Sequence, residues 1–148
     1  MGLNDNVQSI VTKLTTLDTS LNNVSLPHKV PSTATAMHSS NTAAITTTTG
    51  LQVKAAVASK KLYITSIDAV NFTTTEDQTI QVYEGTATTI TTIIATLQAQ
   101  DVDTLTSVPQ RVFFNPPLQT AAGTAVFAKG LIATKGDTWV TINGYQQA

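Results

Sequence analysis

The sequence contains no cysteine, and only 11% of its 148 residues carry a formal charge. The absence of cysteine excludes a disulfide framework, a thiol nucleophile and a cysteine-type zinc site. Eight basic residues nearly balance nine acidic ones, and a net charge of -1 provides no field that would attract nucleic acid or anionic lipid. Aromatic residues make up 5% of the chain, which leaves few rings on which nucleic-acid bases could stack.

Long apolar runs and targeting signals are also missing. No apolar stretch approaches the roughly 20 residues that a helix needs to span a bilayer. Residues 1–26 lack the cationic start and the continuous apolar core of a signal peptide. Asn6 stands where a myristoylation motif has Ser or Thr. We therefore expect neither a nucleic-acid partner nor a membrane partner.

Threonine is the residue that the chain has in excess, at about one residue in five. Because its branched side chain suits a pleated strand, this excess favours β structure. Hydrophobic residues make up 41% of the chain, enough to build a core, and the length fits one domain with an appendage. The composition predicts a β-rich protein that is not an enzyme.

The first segment carries an apolar repeat with alternating spacings of three and four residues. This a/d pattern extends over three heptads and predicts a coiled-coil helix that ends before Pro27. Leucine at two a positions and isoleucine at one d position favour a trimer or tetramer over a parallel dimer. The alternative is a single amphipathic helix packed on its own domain. The predicted oligomerisation seam consists of Leu3, Val7, Ile10, Leu14, Leu17, Leu21 and Val24.

The apolar repeat and the composition of the remaining residues divide the chain into three predicted regions. Residues 1–26 form the predicted helix, residues 27–50 an extended arm or linker, and residues 51–148 the β domain. Pro27 and Pro31 favour extended backbone in the arm, and Ala43–Thr49 is a candidate first strand.

From residue 51 onward, short segments alternate apolar and polar residues at roughly 10-residue spacing, with no helix pattern between them. Seven or eight such strands predict an all-β, antiparallel sandwich, and the count together with the missing cysteine pair favours a jelly roll over an immunoglobulin-like fold. We expect one strand at Arg111–Phe114 to end at Pro116 and Pro117. The predicted core consists of Val53, Val57, Leu62, Ile64, Ile80, Val82, Ile94, Leu97, Phe113, Val126, Ile132, Trp139 and Ile142.

No catalytic, cofactor-binding or metal-ligating set emerges from the motifs. The two histidines, His28 and His38, lie in the arm, away from any candidate triad partner, and are expected to be ordinary surface or packing residues. A histidine-lined three-fold axis that holds an ion is the alternative. The acidic pairs Glu76–Asp77 and Asp101–Asp103 lack the ligand spacing of a calcium loop and fit turns better.

A recurring pattern of strand ends lies at Lys61–Ser66, Phe114–Leu118, Ala121–Ala125 and Gly136–Tyr145. In this pattern the β region resembles the head decoration (cement) proteins of tailed bacteriophages and related jelly-roll capsid accessory proteins. The resemblance covers about residues 51–148, and the N-terminal heptad departs from some of these proteins.

The resemblance implies a structural virion protein, often trimeric, which would be assembled in the host cytoplasm and would bind the major capsid protein or another virion protein to stabilise the phage head. The alternative is a tail, baseplate or receptor-binding protein whose sandwich binds a host glycan. Tyr63, Tyr83 and Tyr145 are then the candidate sugar-contacting residues. A depolymerase is the third hypothesis, and the missing acid–base pair disfavours it.

Overall fold

The computed structural model describes residues 8–10, 12–13, 30–46, 48–72, 77–100, 109–132 and 137–148. Residues 8–10 and 12–13 are helical, and the Thr12 hydroxyl donates to the Gln8 carbonyl at 3.0 Å. Of the predicted seam only Ile10 lies in this part, where it is 58% exposed; the other six positions lie outside the described residues. The coiled coil therefore stays a prediction. No helix among the described residues is both long and apolar enough to cross a membrane.

The rest of the described chain is β structure. Its eight strands are β1 (Thr35–Ser40), β2 (Leu51–Lys54), β3 (Lys61–Asn71), β4 (Gln78–Gly85), β5 (Ile90–Ala99), β6 (Gln110–Gln119), β7 (Ala125–Gly130) and β8 (Thr138–Gln147).

The strands form two four-stranded antiparallel sheets that pack face to face. The first sheet has the order β1-β8-β3-β6 and the second the order β2-β7-β4-β5. The strand pairs 1–8, 2–7, 3–6 and 4–5 are all neighbours, as they are when one long antiparallel ribbon rolls up into a jelly roll. The predicted all-β antiparallel sandwich is confirmed, and its strand order is that of a jelly roll.

The first strand lies earlier than predicted. Strand β1 is Thr35–Ser40, not Ala43–Thr49, and within the latter range Ile45 makes a single bridge to Thr138. The threonine run favours strands locally, but pairing along β8 selects the segment that places Met37 in the core. Part of the predicted arm thus belongs to the sandwich.

Strand β6 continues through Pro116 and Pro117, where it was predicted to end. Because β6 is an edge strand, the missing proline N–H groups cost no hydrogen bond to a further strand. Phe113 pairs with Ser66 and Leu118 with Ile64, so four residues of β6 bulge opposite a single residue of β3.

The core lies between the sheets and contains nine of the predicted residues. Phe113, Ile132 and Trp139 are corrections: all three are exposed, with Phe113 at 72% and Trp139 at 36%. Since Thr138 and Val140 are fully buried, strand alternation directs Trp139 outward. Val57 is half-buried. The confirmed core residues are Val53, Leu62, Ile64, Ile80, Val82, Ile94, Leu97, Val126 and Ile142, and the core also holds Met37, Ile45, Ile67, Ala69, Ala99, Ala128 and Val140.

The buried carboxylate of Glu84 links β4 to the turn between β6 and β7. Glu84 on β4 is 4% exposed, and its Oε2 accepts a hydrogen bond from the Ala121 N–H at 3.0 Å. The Thr124 hydroxyl donates to the same Oε2 at 3.1 Å or to the Ala121 carbonyl at 2.7 Å. Ala121 and Thr124 belong to the turn between β6 and β7, so Glu84 links that turn to the sandwich.

Replacing Glu84 by alanine should therefore destabilise the fold by about 1–2 kcal/mol, because the part-buried Ala121 N–H loses a charged acceptor. Urea unfolding followed by circular dichroism measures this loss. Glu84→Gln keeps one acceptor oxygen and should cost less. Equal midpoints for Glu84→Ala and the unsubstituted chain would contradict this role.

Candidate functional site

A row of four hydrogen-bonded side chains crosses the outer face of the first sheet, one from each strand. We call His38, Asn143, Asp68 and Arg111 the polar row. His38 on β1 lies directly opposite Asn143 on β8, and Asp68 on β3 lies directly opposite Arg111 on β6. Ile67 and Ile142 point into the core, so strand alternation places their neighbours Asp68 and Asn143 on the outer face.

Asn143 is the centre of the polar row. Its Nδ2 donates to the Ser66 hydroxyl at 3.1 Å and to the Asp68 carboxylate at 3.2 Å. Because a carboxylate only accepts, the Asn143 Oδ1 is left to face Nδ1 of His38, 2.6 Å away, and that ring nitrogen donates. The Thr65 hydroxyl also donates to the Asn143 main-chain carbonyl at 3.1 Å.

The Arg111–Asp68 ion pair closes the row at the edge of the sheet. The Arg111 Nε donates to Asp68 Oδ1, and this hydrogen bond and the carboxylate charge raise the pKa of Arg111 above its ordinary value. The guanidinium also lies 5.7 Å from the centre of the Phe113 ring. The pair thus holds a cation and an exposed aromatic ring together at the surface.

Beside the polar row lies an open groove of about 340 Å³. We call it the aromatic groove. Tyr145, which lines the groove, stacks on Tyr63, with ring centres 4.8 Å apart and planes 7° from parallel. Burial raises the pKa of Tyr145, and the nearby Tyr63 adds to this shift, so the Tyr145 side chain stays a neutral phenol at neutral pH. The groove is lined by Val30, Thr65, Phe113, Phe114, Asn115, Pro117 and Tyr145.

A second apolar area lies at the opposite end of the same face. Trp139 on β8 pairs with Val70 on β3, and strand alternation places the exposed Phe72 on the same side. The outer face of the first sheet therefore carries two apolar areas that the polar row separates.

The polar row was not predicted from the sequence, although its histidine was singled out. The structure places His38 in β1 and against Asn143, while His28 lies outside the described residues. Among the described residues no three His, Cys, Asp or Glu side chains group closely enough to hold a metal ion. Asp77 accepts a hydrogen bond from Gln98 at 3.0 Å, and the other predicted acidic pair, Asp101–Asp103, lies outside the described part of the chain.

Two of the three candidate sugar-contacting tyrosines lie together, and the third does not. Tyr63 and Tyr145 share the outer face of the first sheet. Tyr83 is fully buried in the second sheet, where its hydroxyl donates to the carbonyls of Thr86 at 3.1 Å or Ala87 at 3.3 Å. The expectation that Tyr83 could contact a ligand is therefore wrong.

No family model and no curated protein matches the chain. Two solved structures resemble it. The first is the virus-like particle of extra small virus of the giant freshwater prawn Macrobrachium rosenbergii, with a TM-score of 0.45, 10% identity, and coverage of 84% of this chain and 89% of that one. The second is the coat protein of Tobacco streak virus, with a TM-score of 0.42, 13% identity, and coverage of 79% and 89%. Both similarities are too weak to assign a family or a function.

Substitution of Asn143 tests whether the polar row is one connected unit. Asn143→Ala removes the contacts to His38, Ser66 and Asp68 together and should lower the free energy of unfolding by about 1–3 kcal/mol. Asn115→Ala, at an exposed groove position, is the control and should leave the urea midpoint almost unchanged. Equal midpoints for the two variants would show that the row adds no stability.

Proposed function

We propose that the chain is a structural virion protein that acts as a capsid decoration (cement) protein, binding and stabilising the phage head as an oligomer. The observation that carries this proposal is the outer face of the first sheet, with its two apolar areas around the polar row. The resemblance of the β region to decoration proteins is a second support. The role is stoichiometric binding in the particle and involves no catalysis.

The composition of this face suits a protein partner. Interface cores are enriched in aromatic residues and arginine, and a few such residues carry most of the binding free energy. Phe113 and Trp139 are exposed in the free chain, and burying them against a partner would remove apolar surface from water.

The hydrogen bonds within the polar row lower the free-energy cost of burying this face against a partner. A polar group that is buried without a partner costs free energy, but His38, Asn143, Asp68 and Arg111 already bond to one another. A partner can therefore lie across the row without leaving its charges unpaired. We place the major capsid protein, or another virion protein, on this face.

In this proposal the N-terminal segment mediates oligomerisation. The seam of Leu3, Val7, Ile10, Leu14, Leu17, Leu21 and Val24 joins copies into a trimer, and residues 27–34 connect it to the sandwich. Three linked sandwiches bind a capsid more tightly than one, because each later contact forms within the same complex.

A tail, baseplate or receptor-binding protein that binds a host glycan is the second candidate. The aromatic groove favours it, since the exposed ring of Phe113 lies beside the polar groups of Thr65 and Asn115 and the largely buried Tyr145 also lines the groove. The two candidates differ in partner, and one pair of assays separates them.

Phe113→Ser should weaken binding to expanded capsid shells about tenfold or more, because it removes the most exposed aromatic ring of the face. Co-sedimentation of the purified chain with shells measures this affinity. Leu131→Ser, which removes an exposed aliphatic residue after β7, is the matched control and should bind like the unsubstituted chain. Shells that bind neither protein, together with a glycan-array signal that Phe113→Ser abolishes, would favour the second candidate.

A second experiment tests whether the N-terminal seam holds the oligomer together. Replacing Leu14 and Leu17 by aspartate places charges in the apolar contact and should dissociate the oligomer while the β sandwich stays folded. Thr15→Asp with Thr19→Asp adds the same charge off the seam and serves as the control. Light scattering gives the mass and circular dichroism the β signal. A trimer that survives the seam variant would assign the three-fold contact to the sandwich.

A further inference from the structure

Strand β5 ends the second sheet and has an open edge. It follows β4 in the order β2-β7-β4-β5, and no other described strand pairs along its far side. An edge strand presents unpaired backbone N–H and C=O groups that another strand can bind, and soluble proteins usually protect such edges.

Among the described strands, the other three edges are protected by charge, proline, short length or a tie to the other sheet, and β5 has none of these features. Its two register shifts with β4 lie in its first half and leave Ala95–Ala99 regular. Strand β6 carries Arg111, two prolines and a bulge, and β2 has four residues and a register shift. Strand β1 has six residues and is tied to β2 by the Ser39 hydroxyl, which donates to the Val53 carbonyl at 2.7 Å. Strand β5 has ten residues, with no charge and no proline among them.

Most of the first half of β5 is exposed to solvent. Its first four residues, Ile90–Ile93, are all exposed, so this end of the strand is uncovered on both faces, and Ile93 is 54% exposed. The pairing with β4 shifts near Ile94 and Thr91, and is regular from Ala95 to Ala99. In that regular part Leu97 and Ala99 point into the core, while Thr96 and Gln98 face outward.

We propose that β5 pairs antiparallel with β5 of a second copy of this chain across a two-fold axis, joining two sheets into one continuous sheet of eight strands. In a two-fold antiparallel contact the residue on the axis meets its own copy and its neighbours lie close to theirs, so any charge there would repel its own copy. The absence of charge from β5 satisfies this condition. The exposed Ile90 and Ile93 gain cover from the second copy.

This contact goes beyond the proposed capsid binding and uses a different surface. The strand edge lies on the second sheet, whereas the polar row and the aromatic groove lie on the first. If the N-terminal seam forms trimers, two-fold β5 pairs link one trimer to the next, and combined three-fold and two-fold contacts produce an extended assembly.

Single-cysteine variants test the pairing, because the unsubstituted chain contains no cysteine. Ile93→Cys, Thr96→Cys and Gln98→Cys are purified and treated with a mild oxidant, and Leu131→Cys is the control at an exposed site off the edge. Because only the residue on the axis opposes its own copy, the variants are oxidised singly and in equimolar pairs. At least one variant or pair should form a disulfide-linked dimer, since opposed residues across an antiparallel pair meet the Cα distance of about 4.4–6.8 Å. The variant or pair that links fastest gives the register. Linking no faster than in Leu131→Cys for every variant and pair would overturn the proposal.

A charge on the edge gives a second readout without cross-linking. Thr96→Lys places like charges near each other across the axis and should weaken self-association about tenfold or more in sedimentation equilibrium. Gln119→Lys, on the protected edge strand β6, is the control and should leave self-association unchanged. Equal association of both variants would contradict the pairing. Neither experiment includes a capsid, so its outcome is independent of the capsid-binding test, and Phe113→Ser should keep the β5 contact.

Discussion

The pairing of β3 with β8 is the contact on which the rest of the structure depends. It runs from Lys61 opposite Gln147 to Asn71 opposite Thr138, at the centre of the first sheet. The same register places Ile67 opposite Ile142 in the core and brings Asn143 within reach of Asp68 on the outside. Because side chains alternate along a strand, a slip of one residue would move both sets to the wrong side.

The register shift near Ile64 depends on a glycine. At Gly144, which pairs with Ile64, a Cβ atom would overlap the carbonyl oxygen of Tyr63. The backbones of β3 and β8 approach closely there, and Gly144 also has a φ of +159°. The next pair along the two strands is Tyr63 and Tyr145. Their rings stack, and Tyr145 lines the aromatic groove.

The two surfaces that we propose for assembly belong to one sandwich. On the outer face of the first sheet, mutually bonded polar side chains separate two apolar areas, which suits a protein partner that covers the whole face. On the second sheet the open edge of β5 offers backbone groups to another strand. The surfaces differ in chemistry, one being side-chain packing and the other main-chain hydrogen bonding, so each can be removed by substitution without the other.

The sequence predicted most strands after residue 50, because alternation and turn residues are local signals. It missed β1 and the second half of β6 for a tertiary reason. Residues 35–40 contain few apolar side chains and become a strand by pairing with β8, and Pro116 and Pro117 are accepted because β6 has no further neighbour. The threonine excess did indicate β structure.

What the sequence determined by itself is the fold class, most of the core and the lack of charge on β5, since these depend only on residue type and on a period of two. Only the tertiary structure decided which aromatic residues face outward. Phe113 and Trp139 read as core residues because they are large and apolar, but the strand register turns both to the surface. The polar row likewise needs four strands that are distant in the chain to lie side by side, and no local pattern of residues records that arrangement.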